Sequence, residues 1–167
     1  MLSSYRGLSF LGFALCIGAL LFAIVVLQKM MGFEPCPMCI FQRVAMFGAG
    51  VFFLLGALHG PKAAAPRWLY SLFAAIGAGI GAGIAGRHVW LQSLPEDQVP
   101  ACGPTLDDLR DMFPLSEVVT MILKGDGNCA RIDAQWLGIS LPGWTLITFI
   151  VLIVLALATP LLARRGR

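Results

Sequence analysis

Apolar residues run along this chain in four long blocks, separated by short polar breaks and one long polar segment. The blocks cover roughly residues 8–28, 41–59, 68–91 and 143–163. Each approaches the ~20 residues an α-helix needs to cross a bilayer core. One such block in a larger protein is often a buried core helix. Four within 167 residues leave almost no other chain to bury them. The pattern therefore predicts an all-α membrane protein, a single integral domain built as a four-transmembrane-helix bundle, with outer connecting segments at about 29–40 and 92–142. The first block is read as a retained helix. Its apolar run is too long for a signal peptide, no Ala-x-Ala-like cleavage site follows, and Leu15 is too large to precede a lipoprotein cysteine at Cys16.

Local signals refine the blocks. Pro35 and Pro37 precede the second, where a proline at a helix entrance costs no hydrogen bond, and the helix is expected to start near Cys39. The third carries two small-xxx-small pairs, Gly77 with Gly81 and Gly79 with Gly83, which predict close helix approach. The long polar segment holds short amphipathic helices. Thr105 is placed to cap one, with Asp108 at the third position and Leu106, Leu109 and Phe113 on one stripe. Pro114 ends it. Leu115, Val118, Val119 and Ile122 mark a second stripe that stops at Lys124 and Gly125. That piece is too short to span and either lies in the interface plane or packs on the bundle. Gly125-Asp126-Gly127-Asn128 reads as a turn.

Composition agrees: 58% of residues are hydrophobic and 13% charged, far from the average of soluble domains. The net charge is only +3, and no basic run with interleaved aromatics points to nucleic acid. The distribution of charge is more telling than its sum. Arg6, Lys62, Arg67, Arg164, Arg165 and Arg167 lie at the N-terminus, the 60–67 loop and the C-terminal tail, with no acid among them. All nine acidic residues fall in the other segments. The positive-inside rule makes the first side, with both termini, cytoplasmic. The 29–40 and 92–142 loops then face outward, in a bacterium the oxidising periplasm, where disulfides persist.

Those outward loops hold four of the five cysteines. Cys36 and Cys39 form a Cys-x-x-Cys at a helix N-terminus, a position that can activate a thiolate. Arg43 lies one turn deeper on the same face, able to favour the thiolate and to donate hydrogen bonds to an acceptor oxygen; a snorkelling interfacial arginine is the plainer alternative. Cys102 and Cys129 are far apart in sequence. A structural disulfide between them would stabilise by roughly 3 kcal/mol through loop entropy. A four-cysteine zinc site usually needs two closely spaced pairs, which Cys102 and Cys129 do not provide, so no metal is expected. Cys16 reads as an inert buried thiol. His88, near the outer end of the third block, would join Arg43 in offering donors to a planar, oxygen-bearing acceptor in the lipid. A quinone fits, and it accepts the two electrons a dithiol yields.

An ordered set of motifs then matches a known family. Cys36-Pro37-Met38-Cys39-Ile40-Phe41-Gln42-Arg43 precedes the second span, Arg87-His88 precedes Cys102, and Gly127-Asn128-Cys129-Ala130 follows. Leu137-Gly138 and Pro142-Gly143-Trp144 lead into the fourth span. Over nearly its whole length the chain resembles the disulfide-bond formation protein B (DsbB) family, bacterial inner-membrane thiol:quinone oxidoreductases. The dipeptide Pro37-Met38 departs from the aliphatic pair familiar in that family. The resemblance implies that Cys102 forms a mixed disulfide with a periplasmic DsbA-like thioredoxin-fold oxidase and that Cys129 is its disulfide partner. It further implies that Cys36 exchanges with Cys129, that Cys39 faces the quinone (ubiquinone or menaquinone), and that Arg43 and His88 are quinone-site residues. Two other readings differ in class. One is a non-enzymatic tetraspan stapled by structural disulfides. The other is a vitamin K epoxide reductase-like enzyme, disfavoured because there the active Cys-x-x-Cys lies near the last span.

Overall fold

Ser4 opens the first helix by accepting a hydrogen bond from the Gly7 N–H at 3.2 Å, satisfying a donor that the helix start would otherwise leave unpaired. The computed structural model describes residues 4–101, 111–125, 127–132 and 134–165. Helix α1 (Tyr5–Leu21) runs on without a break into a π-helical stretch, Phe22–Met30. Helix α2 spans Pro37–His59, with Cys36 at its N-cap, Pro37 in its first turn and Gly60 closing it in the left-handed region. Helix α3 covers Ala64–Gln92. Among the described residues a 3₁₀ turn (Glu96–Gln98) and two short α-helices follow, α4 (Leu115–Lys124) and α5 (Gly127–Ala130). A two-stranded hairpin then pairs β1 (Gln135–Trp136) with β2 (Ile139–Ser140). Its turn residues Leu137 and Gly138 both have positive φ (54° and 76°), the twist a two-residue hairpin favours. Helix α6 (Leu141–Arg165) completes the chain.

The protein is an all-α membrane protein with four helices long and apolar enough to cross a bilayer. Each outruns the apolar block that predicted it by a few residues, because helical hydrogen bonding continues into polar flanks. Helix α2 begins at Pro37 rather than near Cys39. Large apolar side chains such as Phe10, Phe22, Val44, Phe47, Leu58, Ile80 and Val154 face outward, a surface suited to lipid rather than water. The interior is built from small residues. Ala49, Ala74, Ala78, Ala85 and Ala156 are buried with Cys16, Met46, Phe53, Phe149 and Leu152, and α3 packs along both α2 and α6.

The glycine pairs divide. A Cβ on Gly77 would sit 3.2 Å from the Ala49 backbone nitrogen of α2, and one on Gly81 would run into the Phe149 ring of α6. That pair permits close approach to two different helices. A Cβ on Gly79 or Gly83 would meet nothing within 4 Å, so the second predicted pair makes no close helix contact among the described residues. Cys16 is fully buried in the core, as an unreactive structural thiol would be.

A second, smaller cluster forms at the N-terminal end of α2 and the C-terminal end of α3. Val118 and Ile122 of α4 bury themselves against Met38, Ile84, Leu91 and Cys129. Of the two alternatives for this amphipathic piece, its buried stripe packs on the bundle. The helix expected from Thr105 to Phe113, and Cys102 with it, lies outside the described residues.

Candidate active site

The Cys-x-x-Cys owes its shape to the start of α2. Cys36 is extended (φ −64°, ψ 161°), and its carbonyl accepts from the Ile40 N–H at 3.3 Å. Cys39 therefore sits in the first helical turn, with its Sγ 3.0 Å from Cys36 Sγ. The two intervening residues do different work. Pro37 gives up an N–H that a helix start does not need. Met38 is fully buried in the cluster with Val118, Ile122 and Cys129. Both cysteines remain half-buried and line an open cavity together with Glu34, His88, Gln92 and Arg131.

His88 reaches the pair from α3. It is 3% exposed. Its Nε2 lies 3.9 Å from Cys36 Sγ, and its Nδ1 lies 3.2 Å from the side-chain amide nitrogen of Gln42. Gln42 is itself buried, so the ring is gripped from the side opposite the sulfur. Which nitrogen carries the proton depends on how the amide is turned: an amide N–H donating to Nδ1 puts the ring proton on Nε2, facing the thiol.

Cys129 arrives from far along the chain. It is 1% exposed, and its Sγ, Cys36 Sγ and a ring nitrogen of His88 all lie within 4.8 Å of one another. The C-terminal end of α3 is the main platform that brings it there. Arg87 Nη2 donates to the Lys124 carbonyl at 3.0 Å while its guanidinium stacks 4.1 Å over the Trp90 ring. Gln92 Nε2 donates to the Arg131 carbonyl at 3.2 Å, and the Gly127 N–H donates to the Ala101 carbonyl at 3.2 Å. Between α4 and α5, Gly125 has φ +78°, and a Cβ there would strike Leu91. Only glycine meets both conditions.

Arg43 faces elsewhere. Its Nη1 donates to Gln28 Oε1 at 2.7 Å and its Nη2 to the Ala23 carbonyl at 3.2 Å, both in the π-helical stretch of the first span. The structure thus assembles Cys36, Cys39, His88 and Cys129 at one point and ties Arg43 to the first helix one turn deeper. Cys102 lies outside the described residues. Three glutamines were given no role from the sequence: Gln42 behind His88, Gln28 under Arg43, and Gln92, whose Oε1 is buried with no partner among the described residues. Their signal was available. Gln28 stands beside Lys29 and Gln42 beside Arg43, polar pairs at the ends of apolar spans, where such side chains are usually functional.

The chain's similarities point the same way. The family model described as "Disulfide bond formation protein DsbB" matches residues 5–159. A relative from Saccharophagus degradans named "Disulfide bond formation protein B" is 47% identical over 93% of this chain and 92% of its own length. Proteins of the same name from Xanthomonas euvesicatoria and Nitrosococcus oceani are each 48% identical. The first covers 98% of this chain and 94% of its own length, the second 92% and 90%.

Proposed function

The chain belongs to the DsbB family of disulfide bond formation proteins, and on that premise we propose that it oxidises a periplasmic DsbA-like, thioredoxin-fold dithiol and delivers the two electrons to a membrane quinone. The observation that carries this reading is the meeting of Cys129 Sγ with Cys36 Sγ within 4.8 Å. It joins the cysteine of the long outer loop to the cysteine pair at the lipid.

The chemistry is a series of thiolate attacks on disulfide sulfurs. A thiolate of the reduced partner attacks Cys102 of a Cys102–Cys129 disulfide, forming a mixed disulfide and releasing Cys129. Cys129 attacks Cys36 of a Cys36–Cys39 disulfide, and Cys39 leaves as the thiolate. The partner's second thiol resolves the mixed disulfide, so the partner departs oxidised and Cys102 is freed. Cys102 then attacks Cys129, re-forming the outer disulfide and leaving Cys36 and Cys39 as the reduced pair. Two electrons and two protons have moved inward. His88 Nε2, 3.9 Å from Cys36 Sγ, holds a proton at the sulfur that is alternately attacked and released.

A bound quinone supplies the sink for those two electrons and two protons. The residues present fit such a molecule. Arg43 engages Gln28 and Ala23 through two N–H groups of the five a guanidinium carries, leaving donors for a ring oxygen. The surface around it (Ile24, Val44, Phe47) is apolar and outward-facing. Arg43 would hold the acceptor at the lipid side, with Cys39 one helical turn above and His88 at the far sulfur of the pair. Ubiquinone and menaquinone both meet this chemistry. The same reading places the protein in the bacterial inner membrane with both termini cytoplasmic, supported by six basic residues on one side and nine acids on the other.

The test is anaerobic mixing of the purified protein with a reduced DsbA-like oxidase and a soluble quinone analogue, following quinone absorbance and trapping mixed disulfides. Cys→Ser at any of the four outer cysteines should abolish turnover, and the trapped adduct should map to Cys102. Full turnover in Cys39→Ser would overturn the role of Cys39.

A further inference from the structure

Three side chains that the relay uses in succession also form a metal-ligand set. Cys36 Sγ, a His88 ring nitrogen and Cys129 Sγ lie within 4.8 Å of one another and come from three separate segments: the cap of α2, the body of α3, and α5. We propose that the fully reduced protein binds one soft divalent cation of the zinc class between these three atoms, locking Cys36 and Cys129 out of disulfide exchange. The lock rests on the relay described above; the binding does not.

The geometry is close to what such an ion requires. A tetrahedral ion with sulfur at ~2.3 Å and imidazole nitrogen at ~2.0–2.1 Å holds its ligand atoms roughly 3.4–3.8 Å apart. Cys36 Sγ and His88 Nε2 are already 3.9 Å apart, and the largest separation in the set, at most 4.8 Å, must close by about 1 Å. The charge is also right. Two thiolates and a neutral imidazole cancel a divalent cation, so the site is neutral where low dielectric makes net charge costly. The fourth position falls to water, which leaves that balance unchanged.

A second observation is independent of the ligand distances. A metal-bound histidine almost always has its other ring nitrogen fixed by a hydrogen-bonding partner. His88 has one in the buried amide of Gln42, 3.2 Å from Nδ1. With that amide turned over, its oxygen accepts from Nδ1–H and the Nε2 lone pair faces Cys36. The sequence argued against zinc because Cys102 and Cys129 are not closely spaced; this set draws instead on the Cys-x-x-Cys and on a histidine from another helix. The cavity lined by Glu34, Cys39 and Arg131 opens onto Cys36 and His88 and gives the ion access. Binding releases two thiol protons and changes no oxidation state. Once Cys36 is in a disulfide a ligand is gone, so the site exists only in the reduced protein.

The experiment is anaerobic titration of the reduced, detergent-solubilised full chain with Co²⁺, read by thiolate-to-cobalt charge-transfer and tetrahedral d–d absorption. We expect one Co²⁺ per chain, displaced by Zn²⁺, and no signal from the oxidised protein. Cys129→Ser should abolish the tetrahedral spectrum, and Gln42→Leu should weaken binding about 10–100-fold. In the wild type, stoichiometric Zn²⁺ should slow alkylation of Cys36 and Cys129 together, a readout that needs no variant to fold. Absence of the spectrum in the reduced wild type, or its full retention in Cys129→Ser, would overturn the site whether or not the protein turns over quinone.

Discussion

Ile122→Ala probes what holds Cys129 beside Cys36. Ile122 is 3% exposed, as is Val118 one turn before it, and both pack on Met38, Ile84, Leu91 and Cys129. Truncating a buried isoleucine to alanine costs about 2–5 kcal/mol. The main core of the four long helices does not include Ile122, so the loss falls on the docking of α4 and α5 rather than on the bundle. At the lower bound of ~2 kcal/mol, the undocked fraction rises roughly 30-fold. Cys129 is 1% exposed, so its alkylation in the reduced protein must pass through local opening and should accelerate by the same factor. The assay is timed alkylation resolved by peptide mass, with helical content followed by circular dichroism. Met121→Ala, on the same helix but 37% exposed, should change the rate less than about 2-fold. Equal Cys129 rates in Ile122→Ala and wild type, or an equal effect of Met121→Ala, would refute the docking role of this cluster.

Three further outcomes are expected. In a Cys39→Ser/Cys102→Ser background, mild oxidant should link Cys36 to Cys129, seen as two fragments held together on a non-reducing gel after cleavage between α2 and α3; no link would break the relay at its central step. Arg43→Ala or His88→Ala should raise the quinone concentration needed for half-maximal turnover more than the partner concentration needed. An unchanged quinone dependence in both would remove them from that site. Gly81→Ala, whose new methyl meets the Phe149 ring, should lose about 1–3 kcal/mol by overpacking and regain part of it with Phe149→Leu. Gly79→Ala, in open space, is the control, and equal thermal stability of the two glycine variants would count against the packing.

Periodicity and block length were enough to expose the four spans, since no soluble core could bury that much apolar chain. They carried less information about ends. Pro37 belongs to α2, not before it, because the N-cap role of Cys36 is a backbone property that an apolar window does not register. The cysteines and their order were legible as motifs, and so were Arg43 and His88. What the motifs lacked was the third dimension. Equal spacing made Gly77/Gly81 and Gly79/Gly83 look alike, yet among the described residues only the first pair faces other helices. Nor could a motif foretell that Arg43 hydrogen-bonds the first span or that His88 sits between Gln42 and Cys36. Gln28 and Gln42 were given no role because their partners are fifteen and forty-six residues away, beyond the reach of any local pattern.

The π-helical stretch makes the winding of the first span, and not only its composition, a condition of the site. Each hydrogen bond there encloses one residue more than in an α-helix, so Phe22–Met30 winds more slowly than the turns before it. The same residues rewound as ordinary α would form a helix just as apolar. Each step would then turn by about 100°, about 20° more than in the wider π turn. Over the steps from Ala23 to Gln28 that difference swings Gln28 away from Arg43 by roughly a quarter of a circle. A span so rewound would still insert and fold, and would have lost its grip on the arginine through pitch alone, whereas removing one residue as it rewinds would restore the register.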